Sequence, residues 1–223
     1  MKFWNKVFAI VWKDAISEMR TREIIFSVLI FTILVVVTFN FAFGASAETM
    51  KLVAPGILWV TFTFAGILAL NRSFIPEIEE GCLGGLMICP VSREVIYVGK
   101  MLGSLFFMLI IEIIALPVFA LLFNLSVLSP QLITITFLAT VGFVAVGTLF
   151  SALAVNTKAR EMVLPILFLP VVVPIIISAV KASGQALSGE PWGELSSWLA
   201  VLGAFDAIFI VISFWIFPFI IEE

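Results

Sequence analysis

Histidine is absent from this chain, and cysteine occurs only twice. Without histidine the commonest metal ligand and the commonest general base are gone, and so is the usual axial haem ligand. Cys82 and Cys89 are seven residues apart. That spacing fits neither a zinc pair nor a redox Cys-x-x-Cys, and no Cys-x-x-Cys-His follows. On a helix the two would share one face, which reads as small buried apolar residues. No Gly-x-x-x-x-Gly-Lys-Ser/Thr occurs, so the chain has no phosphate-binding loop with which to hydrolyse ATP itself. No internal repeat is evident, which weighs against a secondary transporter built from two inverted halves. Charge is scarce too, at 12% of residues. No polar stretch is long enough for a soluble domain with an active site. The expectation is therefore no enzyme, with no catalytic, cofactor-binding or metal-binding residue assigned.

What fills the chain instead is apolar. Hydrophobic residues make up 62% of it, and the mean hydropathy is +1.23. From Met101 to Thr157 the only charged residue is Glu112. A water-soluble fold cannot cover that much apolar surface, so the solvent is lipid. A membrane helix needs about 20 mostly apolar residues. Six such runs are legible, over about 24–43, 52–70, 101–123, 132–155, 162–180 and 198–220. Their continuity argues against a barrel, whose strands alternate. The expected fold class is all-α: one polytopic permease-like domain over 1–223.

Ten of the twelve basic residues fall on one side of such a bundle. They are Lys2, Lys6, Lys13, Arg20, Arg22, Arg72, Arg93, Lys100, Lys158 and Arg160. Only Lys51 and Lys181 fall on the other. Positive residues stay in the cytoplasm, so both termini are expected there. The first 23 residues do not read as a cleavable signal peptide. Trp4, Val7, Phe8, Val11, Trp12, Ala15, Ile16 and Met19 recur at helical spacing, with Lys6, Lys13, Asp14, Ser17 and Glu18 between them. This predicts a helix lying in the cytoplasmic interface, with Trp4, Phe8 and Trp12 at headgroup depth. It serves either as an anchor for the first span or as a grip on a partner.

Residues 72–100 lie between the second and third spans. Ile75, Ile78, Cys82, Leu86 and Cys89 step by three or four, a helical stripe. Pro76 suits a first turn, and Glu77, Glu79 and Glu80 crowd the end where the helix dipole favours negative charge. Pro90 stops the pattern. The prediction is a short helix beneath the membrane, with its acids facing the cytoplasm. An acidic helix binds an anionic leaflet poorly, which favours docking of a cytoplasmic protein over simple flotation. Glu77, Glu79, Glu80, Gly81, Leu83 and Leu86 are the candidate docking residues. Gly81, Gly84 and Gly85 either admit a partner backbone or end the helix early.

Two acids fall inside spans, Glu112 and Asp206. A charged carboxylate at mid-bilayer costs about 2.5–3.5 kcal/mol on insertion scales and usually faces protein or a cavity. Each either lines a translocation path or subunit interface, or sits in a bundle contact and serves packing. Pro165, Pro170 and Pro174 strain the fifth span, as in a kinked or gating helix, though prolines are ordinary in membrane helices. Trp192, Leu195, Trp198 and Leu199 suggest a short helix dipping into the outer interface. Gly142, Ala145 and Gly147 in the fourth span would let another helix approach closely. That face and the first span are the places to look for dimer contacts.

Four clusters carry a resemblance to a known family. They are Trp12-Lys-Asp-Ala-Ile-Ser-Glu-Met-Arg-Thr-Arg-Glu23; Gly56-Ile-Leu-Trp59 through Phe64-Ala-Gly66 to Leu70-Asn-Arg-Ser-Phe74; Glu77-Ile-Glu-Glu-Gly-Cys-Leu-Gly-Gly-Leu86 with Pro90 and Tyr97-Val-Gly-Lys100; and Asn156 through Arg160-Glu-Met-Val-Leu-Pro165 with Leu169-Pro170 and Pro174. The chain resembles the haem exporter protein B (CcmB) family, permease subunits of an ABC transporter in cytochrome c maturation. The resemblance implies six helices per subunit, similar to ABC-2 exporters, with an N-terminal interfacial helix and a coupling helix after the second span. It implies an inner-membrane location and a separate ATP-hydrolysing subunit. It also implies haem-handling membrane proteins of the same complex, a periplasmic haem chaperone served indirectly, and a homodimer within the complex. ATP would act through the partner, haem would be a handled ligand, and nucleic acid has no part. Two further readings remain: a non-transporting scaffold for haem-handling proteins, and an ABC-2 exporter of another substrate.

Overall fold

The computed structural model describes residues 3–21, 23–43, 47–71, 91–125, 129–155 and 160–221. Seven α-helices cover nearly all of them, with no strand among the described residues. They are α1 (Phe3–Thr21), α2 (Glu23–Phe43), α3 (Ala47–Asn71), α4 (Arg93–Phe123), α5 (Pro130–Val155), α6 (Arg160–Leu187) and α7 (Trp192–Ile221). The last six are each long and apolar enough to cross a membrane. The all-α, six-span architecture legible in the sequence is the one observed.

Three helices outrun their apolar windows. α4 begins at Arg93 rather than near Met101, α6 continues to Leu187, and α7 begins at Trp192. Arg93, Glu94, Lys100 and Lys181 end a hydropathy window but are sound helix formers, so the backbone runs through them. The expected outer interfacial helix is instead the end of α6, a tight turn and the start of α7. Gly189 supplies the turn at φ +80°, a region open to glycine. Its N–H donates to Ala186 O at 3.1 Å, and the Glu190 N–H donates to Gln185 O at 3.1 Å. α6 stays continuous through Pro165, Pro170 and Pro174, so these prolines do not break it.

Local chemistry explains the other ends. α4 stops at Asn124, which adopts the left-handed conformation at φ 51°. Ser129 caps α5 by accepting the Leu132 N–H at 3.2 Å, and Pro130 fills the first turn, where no donor is needed.

Two side-chain hydrogen bonds tie one end of the bundle together. Asn40 Nδ2 donates to Leu122 O at 2.6 Å, and Gln131 Nε2 donates to Glu190 O at 2.9 Å. The alternating helices then put α1, the end of α3, the start of α4, the end of α5, the start of α6 and the end of α7 at the opposite pole. α5 is the central helix. It packs against α3, α4, α6 and α7, and 72% of its apolar window is buried against 17% for α2. Small residues permit this. A side chain at Gly147 would overlap Leu70 of α3, and one at Gly142 would overlap Asp206 of α7. Ala145 accepts the Tyr97 hydroxyl of α4 at 3.1 Å. The small-residue face of α5 therefore serves contacts within one chain, and the expectation of dimer contacts there is corrected.

The buried side chains form two clusters stacked along the length of the bundle. One holds Leu70, Tyr97, Ile111, Phe143, Leu164 and Phe217. The other holds Trp59, Ala115, Phe119, Ala139, Ile175 and Leu202. Their boundary passes between Ile111 and Ala115 on α4 and between Ala139 and Phe143 on α5.

Candidate functional site

Polar side chains sit at that boundary. Glu112 on α4 is 2% exposed, and one of its carboxyl oxygens accepts the Thr140 hydroxyl of α5. Its other oxygen, Oε2, has no protein partner among the described residues. The group lines a cavity of about 10 Å³ with Trp59, Phe62, Thr63, Met108, Thr140, Phe143, Ile175 and Ile176. That is room for roughly one water molecule. Trp59 is fixed from the far side, its indole N–H donating to Ser183 Oγ of α6 at 2.9 Å. Thr63 bonds its own helix, donating to Trp59 O at 2.7 Å.

Asp206 on α7 is also buried, at 7%. Its carboxyl lies directly over Gly142, where Ile175 is the other close neighbour, and its Oδ1 has no protein partner among the described residues. Glu112 and Asp206 do not touch the same residues of α5. One meets Thr140 and the other meets Gly142, with Ile175 common to both surroundings. The structure thus brings both intramembrane acids to one layer, where they bond α5 to α4 and press α7 against it. Buried polar groups without full satisfaction are costly.

The second candidate region is the pole bearing α1. α1 lies along the first turns of α4, with Val7 and Ile10 buried. Trp4, Phe8, Trp12 and Ile16 point away from the bundle, at 59%, 69%, 70% and 48% exposure. The apolar residues of this helix are therefore split between two faces. Ile10 sits over Gly99, where any side chain would overlap it, and Asp14 lies beside Gly103. Asp14 Oδ2 is 3.1 Å from Lys100 Nζ, and its Oδ1 is 3.1 Å from Lys13 Nζ. Lys100 is 2% exposed. Sequence reasoning missed this contact, counting Lys100 as a loop cation and Asp14 as part of a polar face. Two signals were available. Gly99-x-x-x-Gly103 is a helix-docking pattern in apolar sequence, and Lys100 inside it demands a partner.

The six docking candidates, Glu77, Glu79, Glu80, Gly81, Leu83 and Leu86, lie outside the described residues, as do Cys82 and Cys89. Among the described residues no group of three or more Cys, Asp or Glu is placed to hold a metal ion.

The sequence matches the family model described as CcmB protein over residues 5–222. Curated relatives carry the name heme exporter protein B. The one from Escherichia coli K12 is 30% identical over 213 residues, covering 92% of this chain and 90% of its own. The one from Pseudomonas aeruginosa is 28% identical over 177 residues, 79% of each chain. The one from Rhodobacter capsulatus is 31% identical over 162 residues, 72% of this chain and 74% of its own.

Proposed function

This chain belongs to the CcmB protein family, and from that premise we propose that it is the membrane permease of a haem-export system driven by a separate ATP-hydrolysing subunit. The observation that carries the reading is a family match running through all six membrane-length helices. The names of the relatives supply the haem-export theme.

In this reading the chain performs no bond-making chemistry. ATP is bound and split by the partner, which docks on residues 72–90 from the cytoplasm. Glu77, Glu79 and Glu80 offer it negative charge, Leu83 and Leu86 an apolar contact, and Gly81 room for its backbone. Only Val91 and Ser92 separate this segment from α4, so displacement of the loop reaches α4 directly. α4 then carries the displacement to Glu112, and Thr140 passes it to α5. A tetrapyrrole does not fit a cavity of about 10 Å³, so Glu112 is a positioning group and not a haem contact. Haem moves on the outer face of the bundle, at an interface with a second copy or with haem-handling proteins of the same inner-membrane complex. It ends on a periplasmic chaperone. The exposed stripe of α1 rests in the cytoplasmic leaflet, where tryptophans are stable.

The deciding experiment is Glu80→Lys. The variant should insert normally and lose at least tenfold of the ATPase that co-purifies with wild type. Unchanged co-purification and unchanged ATP turnover would remove residues 72–90 from the docking site.

A further inference from the structure

We propose that the Asp14–Lys100 ion pair, set in the Gly99-x-x-x-Gly103 groove of α4, is a positioning latch that makes α1 and the cytoplasmic end of α4 one rigid body. The inference rests on the reading of residues 72–90 as the ATPase contact, and adds the route by which that contact moves the interfacial helix.

Length is the first observation. α4 has 31 residues, about 46 Å at 1.5 Å per residue. The hydrocarbon core is about 30 Å thick. Two to three turns of α4 therefore stand outside it, and α1 lies along them. Close approach is the second. Ile10 occupies the space a side chain at Gly99 would fill, and a Cβ at Gly103 would lie 3.5 Å from Asp14 Oδ2 and 3.8 Å from Asp14 Cβ. Two glycines one turn apart let α1 come close enough for a short polar side chain to reach across.

Burial is the third. Lys13 is 48% exposed, so its contact with Asp14 is screened by water. Lys100 is 2% exposed and sits 3.1 Å from Asp14. Separating a buried lysine from an acid it pairs with is costly, so this pair resists separation more than a surface pair does. An apolar contact alone would let α1 slide. A buried pair at one register holds it at that register, and a push on the start of α4 must carry α1 with it. The exposed Trp4, Phe8 and Trp12 then move as part of the same lever against the lipid headgroups.

A covalent latch that can be opened tests this. Asp14→Cys and Gly103→Cys place two cysteines with Cβ atoms about 3.8 Å apart, the spacing of a disulfide. Lys100→Met removes the cation that paired with Asp14, and Cys82→Ser with Cys89→Ser removes the native thiols. The protein is purified with its ATPase and haem-handling partners and placed in lipid nanodiscs. The readout is haem delivered to the periplasmic chaperone per ATP hydrolysed. Oxidised protein should match the cysteine-free parent within twofold. Reduced protein should fall at least tenfold while keeping its ATPase bound and its elution volume unchanged. Asp14→Asn in the native sequence should behave like the reduced form.

Equal delivery in the two redox states overturns the latch. Lower delivery in the oxidised state also overturns it, because the helices would then have to part. Glu80→Lys run alongside separates the two readings. If it keeps the ATPase bound while redox state still sets delivery, the docking reading falls and the latch stands. If it releases the ATPase while redox state has no effect, the latch falls and the docking reading stands.

Discussion

At the scale of the residue, the Glu112–Thr140 contact is the most exacting feature of the membrane interior. One hydroxyl serves a carboxyl that is 2% exposed. Removing one partner of a buried hydrogen bond costs the desolvation of the group left behind, about 1–3 kcal/mol, whereas replacing both by apolar groups is nearly neutral. Thr140→Val should therefore destabilise the folded protein by about 1–3 kcal/mol. Glu112→Gln, which keeps the acceptor and the volume, should cost under about 1 kcal/mol. The double variant Glu112→Leu/Thr140→Val should recover most of the loss seen with Thr140→Val alone. Reversible unfolding in mixed micelles measures all three. Additive losses in the double variant would show that the two groups do not depend on each other. The sequence made Glu112 and Asp206 conspicuous, because acids are rare in apolar runs. It marked Gly142 as a place of close helix approach without naming Asp206 as what approaches, and it did not make Thr140 conspicuous, because a threonine in a membrane helix signals nothing until its neighbour across the interface is known.

At the scale of the element, α5 shows how small side chains decide which helix sits at the centre. Gly142 and Gly147 face Asp206 and Leu70, and no room remains for a methyl group at either place. Overpacking a close helix contact costs about 1–3 kcal/mol. Gly142→Ala should lower thermal stability in detergent by that amount. Adding Asp206→Ala should restore most of it, since the closest overlap is with that carboxyl, the Ile175 methyl being the lesser one. Failure of Asp206→Ala to rescue would place the strain elsewhere. The six membrane-length helices were legible, because apolar runs of this length admit one structure in lipid. Helix ends were less so. Arg93 and Lys181 read as loop signals, but a helix that projects past the bilayer accepts charge on its exposed turns. The pairing of α1 with α4 was hidden for a related reason: Val7, Ile10 and Trp12 all fall on the apolar side of the helical pattern, and only the fold separates those that meet α4 from the one that faces away.

At the scale of the whole molecule, the two poles follow from the helix connections and differ in chemistry. Among the described residues, the pole bearing the turn at Gly189 holds Lys51 and Lys181, while the pole bearing α1 and the start of α4 holds Lys6, Lys13, Arg20, Arg93, Lys100 and Arg160. Retention of basic residues in the cytoplasm sets orientation through short loops. The α6–α7 turn should then face the periplasm. Ser188 is exposed there, and its hydroxyl bonds back to Gly184 O of its own helix end at 2.9 Å, so Ser188→Cys should leave the fold intact. In whole cells with a permeable outer membrane, an impermeant maleimide should label Ser188→Cys, and native Cys82 should react only after the inner membrane is opened. The opposite pattern would invert the bundle and place residues 72–90 out of reach of any cytoplasmic ATPase. Equal labelling of both positions in intact cells would mean mixed insertion. The ten-to-two charge bias of the sequence favours a single orientation, so labelling of Ser188→Cys alone is the expected result.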